Sequence, residues 1–514
     1  MSLGRRKFLA SSATTGLVAA LASLGTGRRA RARGPWGELI PDPDGILDLP
    51  AGFTYEILET GGADMSDGYR VPRRPDGMAC FAGPDNTLIL MRNHENNLDD
   101  LPNGPYKDGQ SAPEQAYDPA ATGAVTRLVV DATTFERISS NLVLTGTIRN
   151  CAGGPSPWGW LSCEEIVSIN GELRHGYTFV CPIDAETVQP PAPIVSYGRY
   201  RHEAVCIDPS NNYAYLTEDQ INSCLYRFVP DDMAEPFVGK LQALKVVGEE
   251  VYNTSLMEIG EVVEVEWVDV DEPDPDEDTV RAEAQSKGAA LIFRGEGIWF
   301  FEGQVYVCAT AGGPLLKGQI FRLIDGDNPT LELITRSDSI SVLDNPDNIT
   351  VAPWGDVYIA EDGDGDQYIR FVNAAGEVCD FARNAKSSAE LAGVCFSPSG
   401  DALFFNMFGD NLTVVVTGPF PGVEPGDGDG DPGDGDGDPG DGDGDPGDGD
   451  SEVGDDEETG EAGDETGAEG DAGIESGDDG CGCSTDGERA SSGAALTVAA
   501  LAGVAALTRT RDDD

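Results

Sequence analysis

The sequence predicts an all-β fold, a six-bladed β-propeller with a metal site at its centre, followed by a disordered acidic stalk. Two observations predict it. From Leu49 to Pro419 the chain is a succession of short runs rich in Val, Ile, Tyr and Phe, cut by Gly, Pro, Asn and Asp, and no long segment has helical periodicity. Within that body six stretches read as copies of one element, and four of the six end in carboxylates. The regular copies with acid ends are Pro84–Glu95, Tyr213–Asp219 and Gly355–Asp362. Trp158–Glu165 ends the same way without an Asn- or Asp-type turn before it, whereas Gly303–Thr310 and Gly400–Met407 end without acid.

Strand–turn–strand phrases such as Glu203–Glu218, Asp347–Glu361 and Leu391–Met407 recur at intervals of tens of residues, as propeller blades do. At about 50–60 residues per blade the body holds six or seven, and six is the expectation. A two-sheet sandwich is the rival, but it leaves unexplained why the same strand end so often acquires the acid. Equivalent strands of a repeat fold end on one surface, so Glu95, Glu164 or Glu165, Glu218 and Glu361 are expected to converge. Carboxylates aimed at one point raise each other's pKa unless cations sit among them, which predicts a metal site.

The segments around the body are read in chain order. Residues 1–33 carry Arg5, Arg6 and Lys7, then the apolar run Phe8–Leu24, then small residues around Ala30 and Ala32. This pattern fits a twin-arginine (Tat) export signal, with an N-terminal membrane anchor as the alternative. Val246–Lys287, which holds the acidic, Pro-rich stretch Asp269–Asp278, reads as an insertion or exposed loop with a short helix near Thr279–Ser286. From Glu424 to Gly480 a Gly-Asp-Pro tract with 25 acids and no Lys or Arg fits neither an EF-hand loop nor a calcium nonapeptide repeat; it reads as a disordered spacer. Residues 481–514 hold Cys481 and Cys483, an apolar stretch and then Arg509 and Arg511. This segment resembles the C-terminal sorting signals called MYXO-CTERM. The resemblance implies cleavage by a sorting protease and surface attachment through one of the two cysteines, with a plain tail anchor as the alternative. The mature protein is therefore expected in the periplasm or at the cell surface, touching a membrane only through its terminal segment.

Composition excludes several functions. The formal charge is −59, and outside the acidic tract 67 acids still face 33 bases, which is too negative to grip nucleic acid through its phosphates. Three histidines argue against a His-rich zinc site, so oxygen ligands and hard ions such as Ca²⁺, Mg²⁺ or Fe³⁺ are expected. The chain has no C-x-x-C pair, and Cys206, Cys308 and Cys395 lie in apolar strand patterns as small core residues. Neither G-x-S-x-G nor a P-loop is present. A phosphate ester would enter so acidic a pocket only if bound cations overcompensated its charge, and those cations would make a side-chain nucleophile unnecessary.

The densest cluster of chemistry is 149–165. There Cys151 lies in a turn before Ala-Gly-Gly-Pro, either as a structural residue or as a thiolate ligand to iron. Together with Met65–Arg70, Asp76–Met78, Arg92–Glu95, Cys163–Glu165, Arg201–Ala204, Thr217–Asp219, Asp344–Ile349, Glu361–Gly363, Ala382–Asn384 and Leu391–Pro398, it resembles the PhoX family of secreted alkaline phosphatases. The resemblance covers essentially the whole body, with the motifs in order. It implies a six-bladed propeller exported by Tat that hydrolyses small phosphate monoesters with a pair of ferric ions (Fe³⁺) and calcium ions (Ca²⁺). By that resemblance Cys151 binds iron, and the acidic ligands fall among Glu165, Glu218, Glu361 and Glu390, with Glu95, Glu164, Glu203, Asp219 and Asp362 as further candidates. Arg149, Asn150 and Arg201 would contact phosphate or the ligand carboxylates. The alternatives are a calcium-dependent lactonase or phosphotriesterase-like hydrolase on the same scaffold, and a non-catalytic surface-binding propeller.

Overall fold

The computed structural model describes residues 34–422; the segments expected at 1–33, 424–480 and 481–514 lie outside the described residues. Six groups of antiparallel strands follow one another along the chain. Blade one is Pro75–Ala82, Thr87–His94, Gly123–Asp131 and Arg137–Thr147. Blade two is Asn150–Ser156, Gly159–Glu164 and Thr178–Cys181. Blade three is His202–Asp208, Tyr213–Glu218, Tyr226–Pro230 and Gly239–Val246. Blade four is Gly295–Phe301, Gln304–Ala309, Gln319–Ile324 and Thr330–Arg336. Blade five is Pro346–Val351, Val357–Glu361, Tyr368–Val372 and Val378–Asn384. Blade six is Leu391–Phe396, Ala402–Met407 and Leu412–Thr417, completed by Thr54–Thr60 from the start of the body.

The first strand of each blade packs against the first strands of its two neighbours, and the sixth closes on the first. That ring is the hub of the propeller. All six sequence copies prove to be second strands of blades. Blades stack face to face, so their middle strands are buried on both sides and read as continuous apolar runs rather than alternations. Ala402–Met407 is buried at every position, and Cys206, Cys308 and Cys395 are buried as expected.

Closure draws on both ends of the body. Thr54–Thr60 pairs with Leu412–Thr417, so the last blade is assembled from the first and last strands and the ring cannot open without unzipping that ladder. The body also begins earlier than Leu49, because Leu47–Pro50 extends blade five. The Trp36 indole N–H donates to Pro419 O at 3.3 Å, and the ring packs against Phe53, Phe371, Phe381 and Phe420.

The insertion after blade three is more ordered than an exposed loop. Val262–Asp269 pairs with Gly239–Val246 on one side and Thr330–Arg336 on the other, joining blades three and four into one nine-stranded sheet. The expected short helix is present as Val280–Ser286. The acidic loop before it is held down by cations and a phenol. Arg174 pairs with Asp274 at 2.9 Å, Arg199 donates to the Pro275 and Asp276 carbonyls, and Tyr177 donates to Asp274. Among the described residues no helix is long and apolar enough to cross a membrane.

Candidate metal centre

Every inner strand opens in the same way. Its first residues pair with the end of the second strand, and a bulge follows: between Pro75 and Met78, Asn150 and Gly153, His202 and Val205, Gly295 and Ile298, Pro346 and Ile349, and Ala392 and Cys395. A bulge re-aims the side chain it carries. The residues at this place are Asp76, Cys151, Glu203, Glu296, Asp347 and, in blade six, Ala392. Each is followed by a small or slender residue: Gly77, Ala152, Ala204, Gly297, Asn348 or Gly393.

The packing of the ring explains that second position. A Cβ on Gly77 would sit 2.5 Å from the Ala152 Cα of blade two, and one on Gly297 would sit 2.4 Å from the Asp347 carbonyl of blade five. Backbones of neighbouring inner strands therefore touch, and only glycine permits the approach at these two places. Side chains of second strands lock the same contacts. Asn93 donates to the Ala152 carbonyl at 2.6 Å, Asn406 to Asp76 O at 2.6 Å, and Thr217 and Thr310 to the Glu296 and Pro346 carbonyls.

A second and third tier lie at the ring's mouth. The residue just before each inner strand is Arg74, Arg149, Arg201, Arg294, Asn345 or Glu390. Its carbonyl accepts the N–H of the residue at the end of the second strand, respectively Glu95, Glu165, Asp219, Thr310, Asp362 or Phe408. Arg74, Arg149 and Arg294 hold φ at 54° and Asn345 at 52°, the left-handed region that non-glycine residues seldom adopt. The hydrogen bond thus repeats six times and the left-handed turn four times, while the side chains differ.

The side chains converge. Ligand atoms of Cys151, Glu165 and Glu203 lie within 4.8 Å of one another, and the Cys151 thiol lies 3.6 Å from Asp76 Oδ2. Glu296 bonds to Asp347 and Asp362 to Glu390, carboxyl to carboxyl. Arg149 bridges Glu95, at 2.9 Å, and Glu165; Arg294 bridges Asp219, at 2.8 Å, and Glu296. Nine carboxyl groups and a thiol therefore share the hub with two engaged guanidinium groups. Burial first, and like-charged neighbours second, push Asp76, Glu203, Glu296 and Glu390 well above the ordinary carboxylate range. Burial likewise lifts Glu165 to about 8 and Asp347 to about 7, with arginines opposing in part. The Cys151 thiol is raised by burial and then by Asp76. Asp76 Oδ1 and Glu203 Oε1 are buried with no hydrogen-bond partner. Such orphaned oxygens beside a thiol and further carboxylates fit hard cations with one softer contact.

Beneath the ring, residues of all six inner strands, Gly77, Ala152, Ala204, Gly297, Asn348 and Gly393 among them, line a cavity of about 20 Å³. That space holds about one water.

Of the residues expected at the site, Glu95, Arg149, Cys151, Glu165, Glu203, Asp219, Asp362 and Glu390 are brought together. Glu164, Glu218 and Glu361 are not, which corrects the expectation that they converge. Glu164 accepts from Ile148 N at 2.9 Å, His175 Nδ1 at 2.7 Å and Gly176 N at 2.8 Å. Glu218 accepts from Tyr226 at 2.8 Å and Arg281 at 2.7 Å. Glu361 accepts from Asp344 N at 2.8 Å and from Arg370. Successive strand residues point to opposite sides, so each acidic doublet splits and its second member takes the hub. The Asn150 amide is consumed by Thr147 and by Ser162 at 2.8 Å, and the Arg201 side chain turns outward toward Asp278. Asp76, Glu296, Asp347 and Arg294 were missed as site residues. Their signal was a second repeat, Arg or Asn, any residue, acid or Cys, then a small or slender residue, at 74–77, 149–152, 201–204, 294–297 and 345–348.

Comparison with solved structures finds Pseudomonas fluorescens PhoX in complex with vanadate, a transition state analogue. It is 17% identical over 73% of this chain and 96% of that one, with a TM-score of 0.58. XC5397 from Xanthomonas campestris, a gluconolactonase, is 13% identical over 76% of this chain and 100% of that one, with a TM-score of 0.36. The periplasmic gluconolactonase PpgL of Pseudomonas aeruginosa is 14% identical over 71% and 91%, with a TM-score of 0.35. Comparison with curated protein sequences finds no match. The family model described as alkaline phosphatase PhoX matches residues 34–409, nearly the whole propeller, and the chain belongs to that family.

Proposed function

We propose that this chain is an exported, metal-dependent phosphomonoesterase that holds ferric iron and calcium in the propeller hub. The observation that carries the reading is the convergence of nine carboxyl groups and Cys151 at the top of one ring of strands, with buried oxygens of Asp76 and Glu203 left unpartnered. Cys151, Glu165, Glu203 and Asp76 form the thiol-containing group suited to iron. Glu296, Asp347, Asp362 and Glu390, oxygen donors only, suit calcium. When bound, such ions neutralise the phosphoryl oxygens and lower the pKa of a coordinated water or hydroxide.

The chain's own groups do the rest. Arg294, a third exposed and fixed by Asp219 and Glu296, presents a guanidinium edge at the mouth where a phosphate would enter. Arg149 is clamped in the same way by Glu95 and Glu165, so neither arginine needs to reorganise when an anion arrives. Tight packing of the inner strands leaves room for about one water beneath the hub. Export by the Tat machinery suits a site whose metals are acquired inside the cell, and the expected sorting segment suits display at the surface. Both segments lie outside the described residues.

Elemental analysis of protein purified after export and before any chelator, paired with turnover of an aryl phosphate and a lactone panel, tests the proposal. Iron with calcium and aryl phosphate turnover are expected. Calcium alone with lactone turnover would replace the reading with the lactonase one.

A further inference from the structure

The four mouth arginines are equivalent by position but not by engagement. Arg149 and Arg294 each hold two hub carboxylates, and Arg74 meets Asp100 at 3.3 Å. Among the described residues Arg201 has only Asp278, at 3.9 Å from its Nε, and that nitrogen is buried with no hydrogen-bond partner there. Asp278 also meets Arg281, at 2.8 Å, which in turn pairs with Glu218 at 2.7 Å, so the contact with Arg201 is the longest in a shared network. Of the side chain as a whole, 43% is exposed.

The base of Arg201 is nevertheless rigid. Its carbonyl accepts from Asp219 N at 3.3 Å. The flanking Tyr200 and His202 rings stack at 3.8 Å, and Tyr200 stacks in turn on Tyr226 at 4.6 Å. A cation held firmly at the root, weakly paired and sited just before an inner strand at the rim of the hub rather than in it, is placed to meet the far end of a bound ester.

We propose that Arg201 forms a second anion subsite, so that the preferred substrates are phosphate monoesters whose leaving group carries another oxyanion, a carboxylate or a second phosphate. This rests on the phosphatase reading: the reacting phosphate occupies the hub, and the second anion reaches the rim between blade three and the 269–279 loop. An exposed guanidinium facing an oxyanion in this setting gives a preference of about tenfold.

The test is calorimetric binding of three phosphonates to the metal-loaded protein. Propylphosphonate has a single anionic head, 3-phosphonopropionate adds a carboxylate at similar size, and 1,2-ethylenediphosphonate adds a second phosphorus oxyanion. The native protein should prefer one or both dianionic heads by about tenfold, and which one wins tells carboxylate from phosphate. In Arg201→Gln that preference should fall to within about twofold, and Arg201→Lys should restore part of it. A merely structural role would weaken all three ligands together and leave their ratio intact. Binding of propylphosphonate without a preference in the native protein, or a preference that survives in Arg201→Gln, overturns the subsite and leaves the phosphatase reading standing. Failure of every phosphonate to bind overturns both.

Discussion

Glu164 and Glu165, Glu218 and Asp219, and Glu361 and Asp362 are neighbours of nearly identical chemistry with opposite roles. The first of each pair is fully buried and held by its own donors: Glu164 by His175 and backbone N–H groups, Glu218 by Arg281 and Tyr226, and Glu361 by Arg370 and Asp344 N at Oε1, although its Oε2 has no hydrogen-bond partner among the described residues. The second faces the hub among other carboxylates. A glutamate matched one-to-one with a donor builds the blade, whereas one crowded with its own kind waits for a cation. The difference lies in which side of a strand a residue occupies, and so in a single step of sequence.

Breaking the hub side should have the largest effect. Cys151→Ser and Glu203→Gln are expected to lose iron and at least about 10³-fold in phosphatase turnover, the scale of several kcal/mol of charge stabilisation, while the propeller stays folded. Metal content and circular dichroism check this together, and full turnover with iron retained would remove Cys151 from the ligand set.

The blade side should respond in the opposite sense. Arg370→Met strands the fully buried Glu361 without its guanidinium, and stability should fall by about 3–5 kcal/mol. Metal per folded molecule should stay unchanged. If thermal melting barely moves while metal is lost, the division between the two sets of glutamates is wrong.

A smaller effect sharpens the boundary between packing and chemistry. In Gly77→Ala the new Cβ meets the Ala152 Cα at 2.5 Å, so two inner strands must part. Overpacking of this kind costs about 1–3 kcal/mol, and metal affinity should weaken with it because Asp76 and Cys151 ride on those strands. Unaltered melting and metal affinity would mean that the ring tolerates spreading.

The mildest perturbation is pH. Glu165 and Asp347 are lifted to about 8 and about 7, above their ordinary 4.5 and 3.8. A raised folded pKa contributes stability that is complete below the unfolded value and is lost as pH rises through the folded one. Metal-free protein should therefore melt higher at pH 5 than at pH 8, whereas metal-loaded protein should lose the hub's share of this dependence because cations replace protons, keeping only the share of Glu218 and Glu361, which burial outside the hub lifts to about 7. A metal-free form that grows more stable as pH rises would contradict the crowding described for the hub.

Much of the architecture was legible because strand patterning is local. The six copies were true second strands, and the helix near Thr279–Ser286 was found at Val280–Ser286. The ligand set was half legible. Reading the strand ends gave Glu95 and left Glu164 or Glu165 open, but it chose Glu218 and Glu361 where Asp219 and Asp362, offered only by the resemblance, face the hub, since a one-residue shift reverses the face. The inner-strand acids Asp76, Glu296 and Asp347 went unrecognised because their signal is carried by the small residue after them, and its meaning depends on a neighbouring blade's backbone.

By itself the sequence determined the strands, the repeat, the family resemblance and the excess of hard oxygen donors, all of which depend on residue type and short spacing. Tertiary structure alone decided which carboxylates meet, because residues as distant as Asp76 and Glu390 become neighbours only when blade six closes on blade one. It also decided which arginine is left weakly paired, since Arg74, Arg149, Arg201 and Arg294 are alike in local sequence but differ in the carboxylates that other segments bring to them, and Arg201 alone of the four lacks the left-handed backbone.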